Sequence, residues 1–123
     1  MPKVLTEEQM GLYERDGFLV VPDVISTTEI AELRRVTEAL VEQSRSTTEH
    51  NEIYDLEAAH SAERPLLRRI KTPEKWDPVY ASMVTHPAIV GALQDLWGPS
   101  IRFQMGKLNL KVAGYGSSLE WHT

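Results

Sequence analysis

Ile101 to Thr123 reads IRFQMGKLNLKVAGYGSSLEWHT. Ile101, Phe103 and Met105 alternate with Arg102, Gln104 and Gly106; Leu108, Leu110 and Val112 then alternate with Lys107, Asn109 and Lys111. A period of two belongs to a strand with one face buried, so strands are expected over 101–105 and 107–112. Lys107, Asn109 and Lys111 share one face of the second. That face either meets water or lines a pocket in which ammonium and amide groups hold a carboxylate. Ala113 to Ser118, with Gly114 and Gly116, forms a turn that leads into Glu120, Trp121 and His122. One imidazole does not make a metal site.

Upstream of Gly98-Pro99 the period is helical. His86-Pro87 opens a helix with Ile89, Val90, Leu93, Leu96 and Trp97 on its inner face and Gly98 as its stop. Asp77-Pro78 opens a shorter one, Asp capping and Pro at the first helical position. Leu66 to Lys71 (LLRRIK) is a strand with three cations in its last four residues. Ser44 to Arg64 is polar and has no sustained period, which predicts a long solvated loop, either a mobile lid or disordered. His50 and His60 lie in it without a partner at helical or strand spacing, and His86 reads as a helix-end residue, so none of the three is taken as a ligand.

The first half is written in capping signals. Thr6 and Gln9 form one capping box, with Leu5 and Met10 as the hydrophobic staple and Gly17 as a left-handed stop. Ser26 and Glu29 form a second, with Ile25 and Ile30 as staple and one apolar face running through Leu33, Val36, Leu40 and Val41 to about Gln43. Between them Phe18 to Val21 is expected to be a short buried strand ended by Pro22.

The chain of 123 residues fits one domain with 41% apolar residues for a core. Its net charge of −5 argues against a general affinity for nucleic acid or an anionic membrane. Residues 1–64 carry net −8 and residues 65–123 net +3, a sign change that suits an anion-binding second half. There is no cysteine, which excludes disulfides, thiolate metal sites and a Cys nucleophile. No apolar run approaches the ~18 residues of a membrane span, and no signal-peptide core opens the chain; a soluble, cytoplasmic protein is expected. No P-loop, Rossmann fingerprint, G-x-S-x-G or H-E-x-x-H occurs.

The opening LTEEQMGLYERDGFLVVPDVIS, the central RRIKTPEKWDPVYASMVTHPAIVGALQDLWGPSI and the closing KLNLKVAGYGSSLEWHT together resemble the phytanoyl-CoA dioxygenase family. The resemblance covers nearly the whole chain and the N-terminal half of such an enzyme. It implies an α+β fold: N-terminal helices followed by the first strands of an incomplete double-stranded β-helix (a cupin-like jelly roll), with residues 1–123 as a single partial domain. It also implies Fe(II) and 2-oxoglutarate as cofactors, and hydroxylation of an aliphatic C–H bond of a small-molecule substrate or acyl thioester.

By the same resemblance His122 matches the first iron ligand of a His-x-Asp pair and Thr123 the residue between. The Asp position and the more distal His fall after Thr123. Arg69 on the RIK strand and Lys107 on the strand approaching the metal turn match positions from which basic residues contact 2-oxoglutarate. With one ligand of three, the 123 residues alone are expected to be inactive, and their unpaired strand edges to favour self-association. Related enzymes with Gly in place of the metal Asp are halogenases, so the position two after His122 decides between two reactions. Two other readings stay open: a non-enzymatic module that binds a partner or dimerises, and an unrelated α+β binding domain.

Overall fold

The computed structural model describes residues 4–115 and 118–121. It is an α+β fold of five helices and a small antiparallel sheet. Helix α1 spans Glu7–Asp16 and α2 spans Thr27–Gln43, followed by a 3₁₀ turn at Ser44–Ser46. Both capping boxes form in full. Thr6 accepts from Gln9 N while Gln9 Oε1 accepts from Thr6 N, and Ser26 and Glu29 repeat the exchange. Gly17 closes α1 at φ 79°, a left-handed conformation that a Cβ would penalise.

Strands β1 (Tyr54–Leu56), β2 (Leu67–Lys71) and β3 (Lys107–Asn109) pair in the order β1-β2-β3. Between β2 and β3 lie α3 (Pro73–Trp76), α4 (Pro78–Val84) and α5 (Pro87–Trp97). Asp77 caps α4 through Val79 N, and His86 caps α5 by accepting from Ala88 N at Nδ1. Registers are Tyr54↔Ile70↔Leu108, Asp55↔Arg69↔Asn109 and Lys71↔Lys107.

The core sits on one face of this sheet. Val36 and Leu40 of α2 meet Tyr54, Leu67 and Ile70, with Trp76, Val79, Tyr80, Leu108 and Leu110 packed around them. Ile70 is 0% exposed at its centre. Burying each such side chain contributes roughly 1.5–3 kcal/mol. Polar contacts tie the layers together: Tyr54 OH donates to Leu40 O, Trp76 Nε1 to Lys71 O, and the Thr37 and Tyr80 hydroxyls bond across α2 and α4. At the opposite end, Asp95 of α5 accepts from Val4 N and Leu5 N and fixes the start of the chain.

Three expectations are corrected. Phe18 to Val21 is not a strand. Leu19 and Val21 are half-buried while Phe18 and Val20 are exposed, so the alternation is present. No described strand runs beside it to pair its backbone groups. Ile101 to Met105 is also irregular, with Phe103 and Met105 exposed. Here the reason is geometric: β2 ends at Lys71, Thr72 turns away, and the bond from Thr72 N to Gly106 O is the last rung. Residues 101–105 have no strand to pair with among the described residues.

The third correction concerns Ser44 to Arg64, which is ordered and contains β1. Asn51 Oδ1 accepts from both Ile53 N and Tyr54 N, starting the strand. His60 accepts from Leu66 N at Nδ1, which leaves the proton on Nε2 to donate to Ser44 O and Thr47 O, each at 3.1 Å. His60 is therefore a cross-brace and not a solvated side chain. Arg45 adds bonds to the carbonyls of Ala62 and Glu63.

Candidate functional site

The strand period that buries Tyr54, Ile70 and Leu108 places Asp55, Arg69, Lys71, Lys107 and Asn109 on the opposite sheet face. Arg69 and Lys107, singled out from sequence, are thus brought to one face of neighbouring strands. Arg69 stands opposite Asn109 and Lys107 opposite Lys71, so the two are diagonal neighbours.

Asp55 lies opposite Arg69 on the other side, next to a register shift between Asp55 and Leu56. Its carboxylate is 3.4 Å from Arg69 Nε, 3.2 Å from Lys71 Nζ and 3.9 Å from His50 Nδ1. Arg69 Nε is shielded from solvent yet makes no hydrogen bond among the described residues. A shielded charged donor without a hydrogen bond is a costly arrangement, offset here only by the nearby Asp55 carboxylate.

In front of these residues is a cleft of about 390 Å³, lined by Arg69, Lys71, Lys75 and Lys107 together with Glu52 and Trp76. Neither Lys75 nor Lys107 forms an ion pair among the described residues. Four cations and one carboxylate, Glu52, line the cleft, and Asp55 beside it pairs with Arg69 and Lys71, so positive charge is in excess. The donor set fits a dicarboxylate.

Two backbone features shape the cleft. Thr72 sits at φ 45°, ψ 55°, a left-handed conformation that is strained for a β-branched residue. It reverses the chain so that Lys75 and Trp76 of α3 return to the cleft wall. Gly106 is clamped from both sides: its carbonyl accepts from Thr72 N, and its N–H donates to Glu74 Oε1. A Cβ there would stand 2.8 Å from Glu74 Oε2, so a larger residue would displace the carboxylate that accepts from the Gly106 N–H.

A second, larger cleft of about 680 Å³ lies between α4, α5 and residues 101–108. Its walls are apolar, including Tyr80, Ile89, Leu93, Trp97 and Phe103, and Lys107 stands at its edge as well. Lys111, on the expected polar face, lies beyond β3 and borders a small crevice with Arg69, Asn109 and Ser118.

His122 lies outside the described residues. Among those described, no group of three or more His, Cys, Asp or Glu side chains could hold a metal ion. His50 Nδ1 accepts from Leu56 N, and His86 Nε2 meets Glu29 Oε2 at 2.7 Å; both serve the fold.

Sequence reasoning missed Asp55 and Lys75. Asp55 lay in a stretch read as a loop, and Lys75 reaches the cleft through a helix of four residues that was not foreseen. Lys71 carried a signal, since it belongs to the run of three cations in Arg68 to Lys71.

Residues 13–123 match the family described as phytanoyl-CoA dioxygenase (PhyH). The chain is 30% identical over 110 residues to an L-proline trans-4-hydroxylase of Streptomyces griseoviridis, covering 89% of this chain and 37% of that enzyme. It is 23% identical over 122 residues to an ectoine dioxygenase of Streptomyces avermitilis, covering 99% and 39% respectively. An ectoine dioxygenase of Bordetella parapertussis is 26% identical over 119 residues, covering 97% and 37%. The chain therefore spans well under half the length of these curated relatives. No solved structure gives a significant match.

Proposed function

The chain belongs to the phytanoyl-CoA dioxygenase family, and from that premise we propose that it is the N-terminal part of an Fe(II)- and 2-oxoglutarate-dependent dioxygenase, residues 1–123 contributing part of one jelly-roll domain. The substrate class we assign is a small molecule or acyl thioester with an aliphatic C–H to be hydroxylated. The relatives' names, a proline hydroxylase and ectoine dioxygenases, favour a small polar molecule over a thioester.

One observation carries the reading. Arg69 and Lys107 share a sheet face at the wall of one cleft whose uncompensated charge suits a dicarboxylate. Their task is to bind and orient 2-oxoglutarate. Arg69 offers a fixed planar donor, and Lys107 a mobile point charge that reaches the same anion. When bound, iron with 2-oxoglutarate supplies the oxidising chemistry. By family resemblance His122 contributes one ligand, and the 123 residues alone are inactive because a single imidazole does not select Fe(II) over other ions. An iron titration that found a tight stoichiometric Fe(II) site in these 123 residues would overturn that expectation.

The test is calorimetric binding of 2-oxoglutarate by the full-length protein that carries these residues. Arg69→Ala and Lys107→Ala are each expected to weaken it about tenfold, the loss of one charge-assisted hydrogen bond. Circular dichroism should stay unchanged. Equal binding by both variants overturns the assignment.

Exposed Phe18, Val20, Phe103 and Met105, with the open outer edge of β3 among the described residues, favour self-association of this chain. Sedimentation of a strict monomer at high concentration would exclude it.

A further inference from the structure

We propose that Asp55 is a positioning residue for the cosubstrate cations, an inference that rests on the 2-oxoglutarate reading of Arg69. Two cations two residues apart on one strand face repel each other, and unrestrained they would spread into solvent. Asp55 prevents this from the neighbouring strand. Its two oxygens divide the work: Oδ2 stands 3.4 Å from Arg69 Nε, and Oδ1 3.2 Å from Lys71 Nζ. The three side chains are 23–34% exposed, so the contact is less screened than a fully exposed surface pair.

The geometry stops short of satisfying Arg69. Its Nε faces Asp55 at ion-pair distance without a hydrogen bond. Asp55 thus holds the guanidinium from its shielded Nε side, and the terminal Nη1 and Nη2, which make no hydrogen bond among the described residues, are left for a ligand carboxylate. The placement follows from register, since Asp55 and Arg69 are direct cross-strand partners. The register shift after Asp55 changes the local pairing at that point. His50, 3.9 Å away and 66% exposed, is the remaining titratable group against the carboxylate. Asp55 touches no substrate on this account; it acts through Arg69 and Lys71.

The experiment compares Asp55→Asn and Asp55→Glu with the parent chain, following the Arg69 Nε–H resonance by NMR and 2-oxoglutarate binding by calorimetry. In Asp55→Asn, the ligand-free Arg69 signal is expected to move to the position of an unrestrained arginine. Affinity for 2-oxoglutarate should fall about fivefold, with Asp55→Glu restoring most of both. An unmoved Arg69 signal in Asp55→Asn overturns the proposal. So does equal or tighter binding by Asp55→Asn, which would make Asp55 a competitor of the ligand. Arg69→Ala separates the two levels. If it weakens binding while Asp55→Asn does not, the positioning role alone fails. If Arg69→Ala binds as the parent does, the cosubstrate reading fails, and the role of Asp55 with it.

Discussion

The Tyr54 hydroxyl donates to the Leu40 carbonyl at 2.5 Å, across the junction of α2 and β1, with Tyr54 1% exposed. This bond joins the two halves of the core and holds the strand that carries Asp55. Tyr54→Phe keeps the ring and removes the bond. Leu40 O retains a bond from Ser44 N, so the loss should be modest, about 0.5–1.5 kcal/mol in urea unfolding. Burial also raises the Tyr54 hydroxyl above its ordinary value of 10.0. A folded-state value raised in this way gives stability that is present below pH 10.0 and lost as pH rises through the folded value. Tyr54→Phe should remove that part of the alkaline loss.

His60 is the second brace of the same region. His60→Ala leaves the Leu66 N–H and the Ser44 and Thr47 carbonyls without this partner, at a cost of about 1–3 kcal/mol. The damage should be local first: limited proteolysis between residues 47 and 64 is expected to quicken before the global midpoint moves far. A ligand role for His60 predicts instead an effect that appears when metal is added.

Thr72 carries backbone strain that a different residue relieves. Asn tolerates the left-handed region, where a β-branched side chain is crowded, and the Thr72 side chain makes no cap bond to lose. Thr72→Asn should raise stability by about 0.5–1 kcal/mol, read from the denaturant midpoint at constant slope. A decrease would mean that the threonine methyl or hydroxyl holds the cleft wall.

At the acid end, the Ser26 backbone N–H, then the Ser26 side chain, hold the Glu29 carboxyl below its ordinary value of 4.5, with a smaller contribution from His86. The folded state thus releases this proton more readily than the unfolded chain. The stabilisation is complete above pH 4.5 and is lost as pH falls through the lower folded value. Glu29→Gln should flatten the acid limb of a stability–pH curve. An unchanged limb would assign acid sensitivity to Glu32 and Glu42, which are lowered by Arg35 and Arg45.

What was legible in the sequence was local. Thr6 with Gln9, Ser26 with Glu29, Asp77-Pro78 and His86-Pro87 each specify a helix start within a few residues, and each formed as read. What depended on a distant partner was read less well. Phe18 to Val21 and Ile101 to Met105 have strand periodicity, but a strand is a relation between two segments and the periodicity names only one. Tyr54 to Leu56 failed in the opposite sense: three residues are too few to show a period, and their order comes from Asn51, His60 and the pairing with β2. The cation site divides in the same way. Arg69 and Lys107 came from the family resemblance, which matched basic positions on two strands, whereas Asp55 and Lys75 join them only through cross-strand register and the reversal at Thr72.

The order β1-β2-β3 also has a kinetic consequence. β1 and β2 are close in the chain, but β3 returns to β2 after α3, α4 and α5 have intervened. Non-local pairing of that kind forms late and slowly, because loop entropy is lost before the contacts repay it. Until β3 docks, Arg69 and Lys71 lack Lys107 at the cleft wall. A carboxylate that needs Arg69, Lys71 and Lys107 together would bind only once β3 has paired, and at one hundred times its Kd would stabilise that state by about 2.7 kcal/mol. Such a ligand would have nothing to hold until β3 arrives, and with β3 in place it would slow the departure of that strand.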